Sequence, residues 1–581
     1  MRIRLTGAAF MVGLTLAPAP IAAQAPRDAL PATRDVALLV QQPRIALPPA
    51  SAAAVSPLRT AILNELAYRE GITREEGLKA WLAGLKTFYM DVDYEPIWVR
   101  DGRLTPAAGE LMEELGRAER WGLRPVDYDV PTAYRALTSG KDQALAEIDL
   151  TLAALRYTFH AHGGRFDPSS LSLWYDAKPN RPDSGNLLRR FASASDAGDV
   201  LRAQHPAHPQ FVALREAYLD IIDPQRRVSE KPAEPAPEDI VLPRGPAVRL
   251  GNRSSQVPLL RKRLSVPPRR SQDADLYDKQ VRDAVNAFMR TQGWKRKHVY
   301  DNKVRTRLNR QANGGNKRRA IDKKTLLVNL EKWRLMPREL GAFHVWNNLP
   351  SYRTEVRRNG DVIHTERIIV GKTSTQTPVF NDRMTHVVFK PEWGVPTSIK
   401  IKSLLPKLAG GDYDVLRRRN MRIPLRGRQG NPRRINWARR DISKIPIIQG
   451  PGPSNPLGNM KFMFPNRHAV YMHDTPKKHL FKTRNRTHSA GCIRVRYPRQ
   501  FAEVILRESL GWDKKDISRQ LGRRARSNQR VDLNEAVPVY NTYFTVVANE
   551  DGKLRRYKDM YGHDKRISKA LDGVSPRVIA R

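Results

Sequence analysis

A single cysteine in 581 residues, Cys492, excludes an internal disulfide and any zinc site built from several thiolates. Long apolar runs are equally scarce. Only Leu5 to Leu16 approaches one, and with Gly13 inside it and Pro18 and Pro20 just beyond, it is too short and too broken for a membrane span. Acidic residues are outnumbered, 59 against 102 Lys and Arg, giving a formal net charge of +43. No glycine-rich phosphate loop accompanies that charge. For the lone thiol two uses remain, inert packing, the commoner fate of a free cysteine, or chemistry.

The residues around it favour chemistry. Gly491 permits a sharp turn, and Ile493, Arg494 and Val495 alternate as a short strand, so Cys492 is predicted at a turn entering a strand. A free thiol has a pKa of about 8.5 and is only a few per cent ionised at neutral pH, so a nucleophile here requires a nearby base or cation. Four histidines lie upstream: His468, His473, His479 and His488. Ala469 to His473 alternates as a strand with Tyr471 and His473 on one face, and Asp474, Thr475 and Pro476 end it. A rigid strand end suits a general base, so His473 is preferred; His488, four residues before the thiol, is the local alternative.

The pattern His473-Asp474-Thr475, a polar spacer, then Ser489-x-Gly491-Cys492-Ile493-Arg494-Val495, with nineteen residues from histidine to cysteine, resembles the active-site signature of the L,D-transpeptidases of bacterial cell walls. Many members have a histidine two residues before the cysteine. Here that position is Ala490, as in the large multidomain branch. The resemblance implies Cys492 as nucleophile and His473 as general base and acid, with the backbone carbonyl of Asp474 orienting the imidazole and its side chain dispensable. It implies oxyanion donors in the N–H groups of Gly491 and Cys492, with the Tyr471 hydroxyl as a third candidate. Arg494 is read as a support for the loop or for a substrate carboxylate, or as half of an ordinary salt bridge. Thr487, His488 and Ser489 are substrate-binding candidates bordering the cleft. So are Trp393, within the family-like stretch Lys390 to Pro396, and Asn459 and Lys461, within Gly458 to Asn466. Lys390 departs from the asparagine usual in that branch. No metal and no organic cofactor is implied.

The chain divides as a multidomain α+β protein. Residues 1–23, with Arg2 and Arg4 before the apolar run, have the form of a secretory signal peptide, and 24–56 read as an Ala/Pro-rich flexible tether. No cysteine follows the signal, so a lipid anchor on a mature N-terminal cysteine is excluded. Export also strengthens the catalytic reading, because an unpaired thiol in an oxidising compartment is unusual unless it has a use. Residues 57–223 are helical, with Leu78, Trp81, Leu82, Leu85 and Phe88 at three- and four-residue spacings. Phe88-Tyr89, Glu95 to Trp98, Asp101 to Leu104, Trp121 to Tyr128, Ala154 to Tyr157 and Gly163 to Pro168 are similar to the helical scaffold domain of the same branch. Taken singly these aromatics are core residues, and no catalytic role is assigned to them. A Pro-rich linker, 224–243, leads to a small unit, 244–312, whose short amphipathic helices resemble a three-helix peptidoglycan-binding module, a helical spacer being the alternative. Met289 stands where such modules usually have Gln, and the turn at Tyr300 to Lys303 is degenerate. Residues 313–340 carry a connecting helix from Ile321 to Met336. From 341 to 581 strand signals dominate in a β-rich catalytic domain, with a basic insertion at about 399–452 placed like the lid over the cleft in that branch.

Nearly all the net charge lies beyond the linker. Composition alone allows nucleic-acid binding, but an exported protein meets little nucleic acid. Wall stem peptides, with carboxylates on D-Glu and diaminopimelate, are the better match, and much of the charge can be solvated surface. The resemblance implies a periplasmic protein peripheral to the wall, with a tetrapeptide stem as acyl donor and a diaminopimelate amine as acceptor. Water or a protein amine as acceptor, and a non-enzymatic wall-binding role, stay open.

Overall fold

Glu147 shows how the N-terminal helices are knit together. Its carboxylate accepts from the backbone N–H groups of Ile97 and Trp98, both at 2.7 Å, and of Val99 at 3.1 Å, and from the Tyr89 hydroxyl at 2.7 Å. Four donors offset the burial of one acid, and they tie helix α2 (Glu76–Asp91) and the Val99–Leu104 hairpin to α4 (Gly140–Gly163). The Ser139/Asp142 capping box starts α4, and apolar residues around most of its girth make it the central helix. Helices α1 (Pro57–Ile72), α3 (Pro106–Gly116), α5 (Ser184–Ser193) and α6 (Ala197–Arg202) surround it. Phe88, Tyr89, Trp98 and Tyr157 are buried in this core.

The computed structural model describes residues 57–573, apart from 75, 129–136, 228–236, 238–239, 293, 296–297, 313–320, 426–427 and 550–551. The expected signal peptide and tether lie outside the described residues. Among the described residues no helix is long and apolar enough to cross a membrane.

Helices α8 (Val257–Arg263), α9 (Lys279–Thr291) and α10 (Asn302–Ala312) form a small unit with its own core of Val257, Leu260, Val281, Val285, Met289 and Leu308. Met289 is buried there. The stretch read as linker delivers Ile240 and Leu242 into this core, and the Leu242 backbone exchanges two hydrogen bonds with the Asn309 amide. Two apolar residues among many prolines gave no periodicity by which the sequence could assign them.

Helix α11 (Lys323–Arg334), read as a connector, is an organising element. Helix α7 (Pro209–Ile222) packs on it through Phe211, Leu214 and Tyr218, opposite Trp346, Tyr540 and Phe544 of the strand region. The charged side chains buried on α11 are ion-paired. Glu331 binds Arg334 at 2.9 Å and also Arg165 of the helical region; Arg334 donates to the Trp121 carbonyl at 2.6 Å, and Lys332 pairs with Asp564.

The strand region is one nine-stranded sheet. Its strands are β1 (Phe343–Asn348), β2 (Arg353–Arg358), β3 (Asp361–Gly371), β4 (Phe380–Phe389), β5 (Met460–Met463), β6 (Met472–His473), β7 (Thr487–Ser489), β8 (Ile493–Val495) and β9 (Gln529–Thr542). The order is β7-β3-β8-β6-β5-β4-β9-β1-β2, and β2 pairs again with β3, so all strands but β7 close into a ring around a core that includes Val345, Phe389, Phe462 and Met472. Between β4 and β5 the chain makes an excursion with its own small core of Leu404, Leu408, Leu416, Trp437 and Ile445. It begins earlier than the expected 399, because Trp393–Gly394 pairs with Ile448–Gln449 in its sheet.

Candidate active site

Strand register assembles the site. Parallel strands β6 and β8 pair Met472 with Ile493 and His473 with Arg494, and the Ile493 N–H donates to the Tyr471 carbonyl at 3.0 Å. Cys492, one residue before β8, is thereby set beside Tyr471, whose hydroxyl and backbone both contact the thiol. On the other flank of β6, antiparallel β5 pairs Lys461 with His473. The Lys461 ammonium lies 5.9 Å from the centre of the Tyr471 ring, and that ring stands edge-on to His473 at 5.7 Å.

The charge states follow from burial. His473 is held neutral, its pKa pushed down to about 3 by burial and by the nearby Arg494. Its Nδ1 lies 2.5 Å from the Asp474 carbonyl oxygen, which can only accept, so Nδ1 carries the proton and Nε2 keeps its lone pair. Burial also pushes the Cys492 thiol up, while contacts with Tyr471 and the charge of Arg494 act against that rise. At rest the thiol and the imidazole are therefore both neutral, linked through Tyr471, which contacts the thiol and stands edge-on to the ring. Arg494 is half-buried, forms no ion pair among the described residues, and has an Nε that is buried without a hydrogen-bond partner. Such a set can carry out nucleophilic group transfer through a covalent intermediate.

The turn before the thiol is fixed by contacts that the sequence did not disclose. Gly491, at φ +125°, gives its carbonyl to the Thr377 hydroxyl at 2.6 Å, and Thr377 in turn accepts from the Gly371 N–H at 2.9 Å. The Tyr561 hydroxyl from the C-terminal segment donates to the Gly371 carbonyl at 2.6 Å. Thr377 and Tyr561 lie far from Cys492 in the chain and belong to no local motif, so only the folded sheet reveals them.

Residues 342–517 match the L,D-transpeptidase catalytic domain, and residues 83–217 match the Scaffold domain. The chain carries an L,D-transpeptidase catalytic domain. A Haemophilus influenzae protein whose name assigns it provisionally to the L,D-transpeptidases is 32% identical over 249 residues, 42% of this chain and 49% of that protein. The chain spans about half the length of this curated relative. Two solved structures align with 52% of the chain, each at a TM-score of 0.14: an L,D-transpeptidase from Xylanimonas cellulosilytica, 13% identical and 99% covered, and a fused Zn-dependent amidase/peptidase and peptidoglycan-binding domain protein from Clostridium acetobutylicum, 10% identical and 100% covered. At that score neither likeness bears on the fold.

Within the L,D-transpeptidase domain the expected site residues separate into two groups. Tyr471, His473, Cys492, Arg494 and Lys461 come together. The Gly491 N–H, expected as an oxyanion donor, donates instead to the buried Ser489 hydroxyl at 3.2 Å, whereas the Cys492 N–H has no acceptor among the described residues. His488 faces the Thr483 hydroxyl at 3.2 Å, and the Thr487 hydroxyl donates to Asn485 at 2.9 Å. Thr487 lines a cavity of about 290 Å³ with Thr373, Arg484 and Lys558. Trp393 packs against the core of the excursion. The Asp474 side chain, expected to be dispensable, is buried and fully used: it accepts from the Asn459 N–H at 2.9 Å, the Thr475 N–H at 2.7 Å and the Lys478 ammonium at 2.6 Å. Gly458 belongs to the same arrangement, since a Cβ there would collide with that carboxylate. Among the described residues no cluster of His, Cys, Asp or Glu is placed to hold a metal ion.

Proposed function

We propose that the protein is a periplasmic peptidoglycan L,D-transpeptidase that joins two stem peptides through their diaminopimelate residues, a 3-3 cross-link. The observation that carries this reading is the half-buried Arg494 guanidinium, without an ion pair among the described residues, near both a neutral Cys492 thiol and a neutral His473. In the proposed reaction, His473 Nε2 takes the thiol proton as the sulfur bonds to the carbonyl joining diaminopimelate to the terminal D-Ala of a tetrapeptide. The Cys492 N–H and Arg494 stabilise the developing oxyanion. The C–N bond then breaks, and D-Ala leaves with the proton held by His473. The side-chain amine of a second diaminopimelate attacks the thioester, gives its proton to His473 and expels the sulfur, which recovers that proton.

The excursion between β4 and β5 is proposed as a lid that limits water's access to the thioester. The unit of α8 to α10 is proposed to hold the enzyme on the wall, and residues 1–23 to export it. Incubation with a diaminopimelate-containing disaccharide tetrapeptide tests the chemistry. Mass spectrometry is expected to show an adduct on Cys492 equal to the donor less D-Ala, followed by diaminopimelate-linked dimers. Tripeptide as the sole product makes the enzyme a carboxypeptidase, and a protein amine found on the stem makes it an anchoring enzyme. Folded protein with reduced Cys492 that gives neither adduct nor product is a wall-binding protein only.

A further inference from the structure

The loop leading into β6 is anchored from outside the catalytic domain. Asp176, in the helical region, binds the His468 ring Nε2 through Oδ2 at 2.7 Å and receives Arg467 Nε on the same oxygen at 2.6 Å, while Arg467 also reaches Oδ1. The next residue, Ala469, has a left-handed backbone at φ +51°, which a residue with a Cβ rarely adopts without support. Its carbonyl oxygen lies 3.9 Å from Cys492 Sγ. The Asn466 side chain braces the loop from within, through the Phe464 and Val470 carbonyls and the His468 and Val470 N–H groups. Asp176 is the brace from without.

The same segment also grips the other wall of the thiol. The Val379 N–H donates to the Trp174 carbonyl and the Asp176 N–H to the Val379 carbonyl, both at 2.8 Å. Two residues before Val379 stands Thr377, which holds the Gly491 carbonyl. Tyr175, between these bonds, is buried in the core of the strand region and stands edge-on to His563 at 5.3 Å. Residues 174–176 therefore touch both chain segments that flank Cys492.

We propose that Asp176 is a positioning residue for the reaction, and that the helical region supplies through it the loop geometry the catalytic domain does not fix alone. Without the carboxylate, Arg467 and His468 lose their anchor, Ala469 relaxes from its left-handed conformation, and its carbonyl moves away from the sulfur. The proposal rests on the transpeptidase reading for its kinetic readout alone.

The test uses the full chain with Asp176→Asn, Asp176→Glu, His468→Gln and the double variant Asp176→Asn/His468→Gln. For dimer formation from the disaccharide tetrapeptide, Asp176→Asn is expected to lower kcat about ten- to hundredfold while KM stays within about twofold, because the reacting sulfur rather than substrate binding is displaced. Asp176→Glu, which keeps the charge, recovers most of kcat. His468→Gln loses less, and the double variant is no worse than Asp176→Asn, since both changes release one loop. Alkylation of Cys492 by iodoacetamide, which needs no transpeptidase activity, rises severalfold in Asp176→Asn as the loop opens. Wild-type kcat and wild-type alkylation in a folded Asp176→Asn protein overturn the proposal, as does a double variant whose loss is the product of the single losses. If Asp176→Asn does not fold, His468→Gln decides, and unchanged kcat and alkylation there overturn it. If the wild-type protein makes no dimer, the transpeptidase reading has failed, and an unchanged alkylation rate in Asp176→Asn overturns the clamp separately.

Discussion

Two arginines in this molecule, Arg334 fully buried and Arg494 half-buried, have opposite surroundings. Arg334, on α11, is held by Glu331 and by the Trp121 carbonyl, and Arg165 shares the same carboxylate. Both Arg334 and Arg494 leave Nε without a hydrogen-bond partner, but Arg494, on β8, has no carboxylate beside it, only a thiol and an imidazole. A paired buried charge stabilises one arrangement of its neighbours. An unpaired one lowers stability until an anion arrives, and a fold retains it where an anion does arrive. The junction between helices and sheet is thus held by ion pairs, whereas the end of the sheet at Cys492 carries a cation with no carboxylate opposite it.

The strongest assault on the active-site end removes its reacting atoms. Cys492→Ala and His473→Ala are each expected to lower cross-link formation about 10³-fold or more, with thermal unfolding within a few degrees of wild type. His488→Ala is expected to keep most activity, because its ring is turned to Thr483. Loss in His488→Ala with full activity in His473→Ala reverses the assignment of the base.

Acid attacks both ends at once. His160 and His205 on the helical side and His473 and His563 on the strand side are all buried, and burial drives each pKa down, for His473 and His563 to about 3. Unfolded histidines take up protons near pH 6.5 and these do not, so below that pH the unfolded chain binds more protons and stability falls. The unfolding temperature is expected to be level above about pH 6.5 and to drop steadily below it. A flat profile down to pH 4 contradicts the neutral burial of these rings.

Methionine at each arginine sharpens the contrast. Arg334→Met leaves Glu331 buried with less compensation and is expected to cost about 3–5 kcal/mol in denaturant unfolding. Arg494→Met removes an unpaired charge, so stability is expected to hold or rise while kcat falls about 10²-fold. Equal destabilisation by the two substitutions dissolves the comparison. A smaller loss of stability than at Arg334 is expected from Asp474→Asn. An amide has one acceptor oxygen for donors that now share two, so one of the Asn459 and Thr475 N–H groups loses its partner, at about 1–3 kcal/mol. Wild-type stability in this variant returns the side chain to the dispensable role the sequence suggested.

What the sequence disclosed was local. Cys492, His473 and Tyr471 lie within one short stretch whose alternation and turns are readable residue by residue, and the helical and strand-rich halves differ in period. What it hid depends on neighbours distant in the chain. That Arg494 lacks a partner is a property of every residue around it, and Asp176 lies 292 positions from His468. Helix α11 read only as a connector, since the partners of Glu331, Lys332 and Arg334 that make it central, Arg165, Asp564 and the Trp121 carbonyl, come from distant parts of the chain. The Gly491 N–H was assigned from the motif, yet the Ser489 hydroxyl of that same motif occupies it.

The excursion between β4 and β5 leaves and re-enters the ring at one narrow neck, where the Lys390 N–H donates to the Asn459 carbonyl at 2.8 Å. Chain ends already held together this closely leave little closure entropy to depend on the length of what lies between them. The insert can therefore be lengthened, shortened or exchanged for a tight turn while β4 and β5 remain paired. It is a replaceable fitting, separable in evolution and in engineering from the strands that bear the thiol and the imidazole. One thread ties it to them: the Asp474 carboxylate holds the N–H of Asn459 at the neck, and the carbonyl of the same residue holds His473. The neck of the insert and the imidazole thus meet in one residue, Asp474.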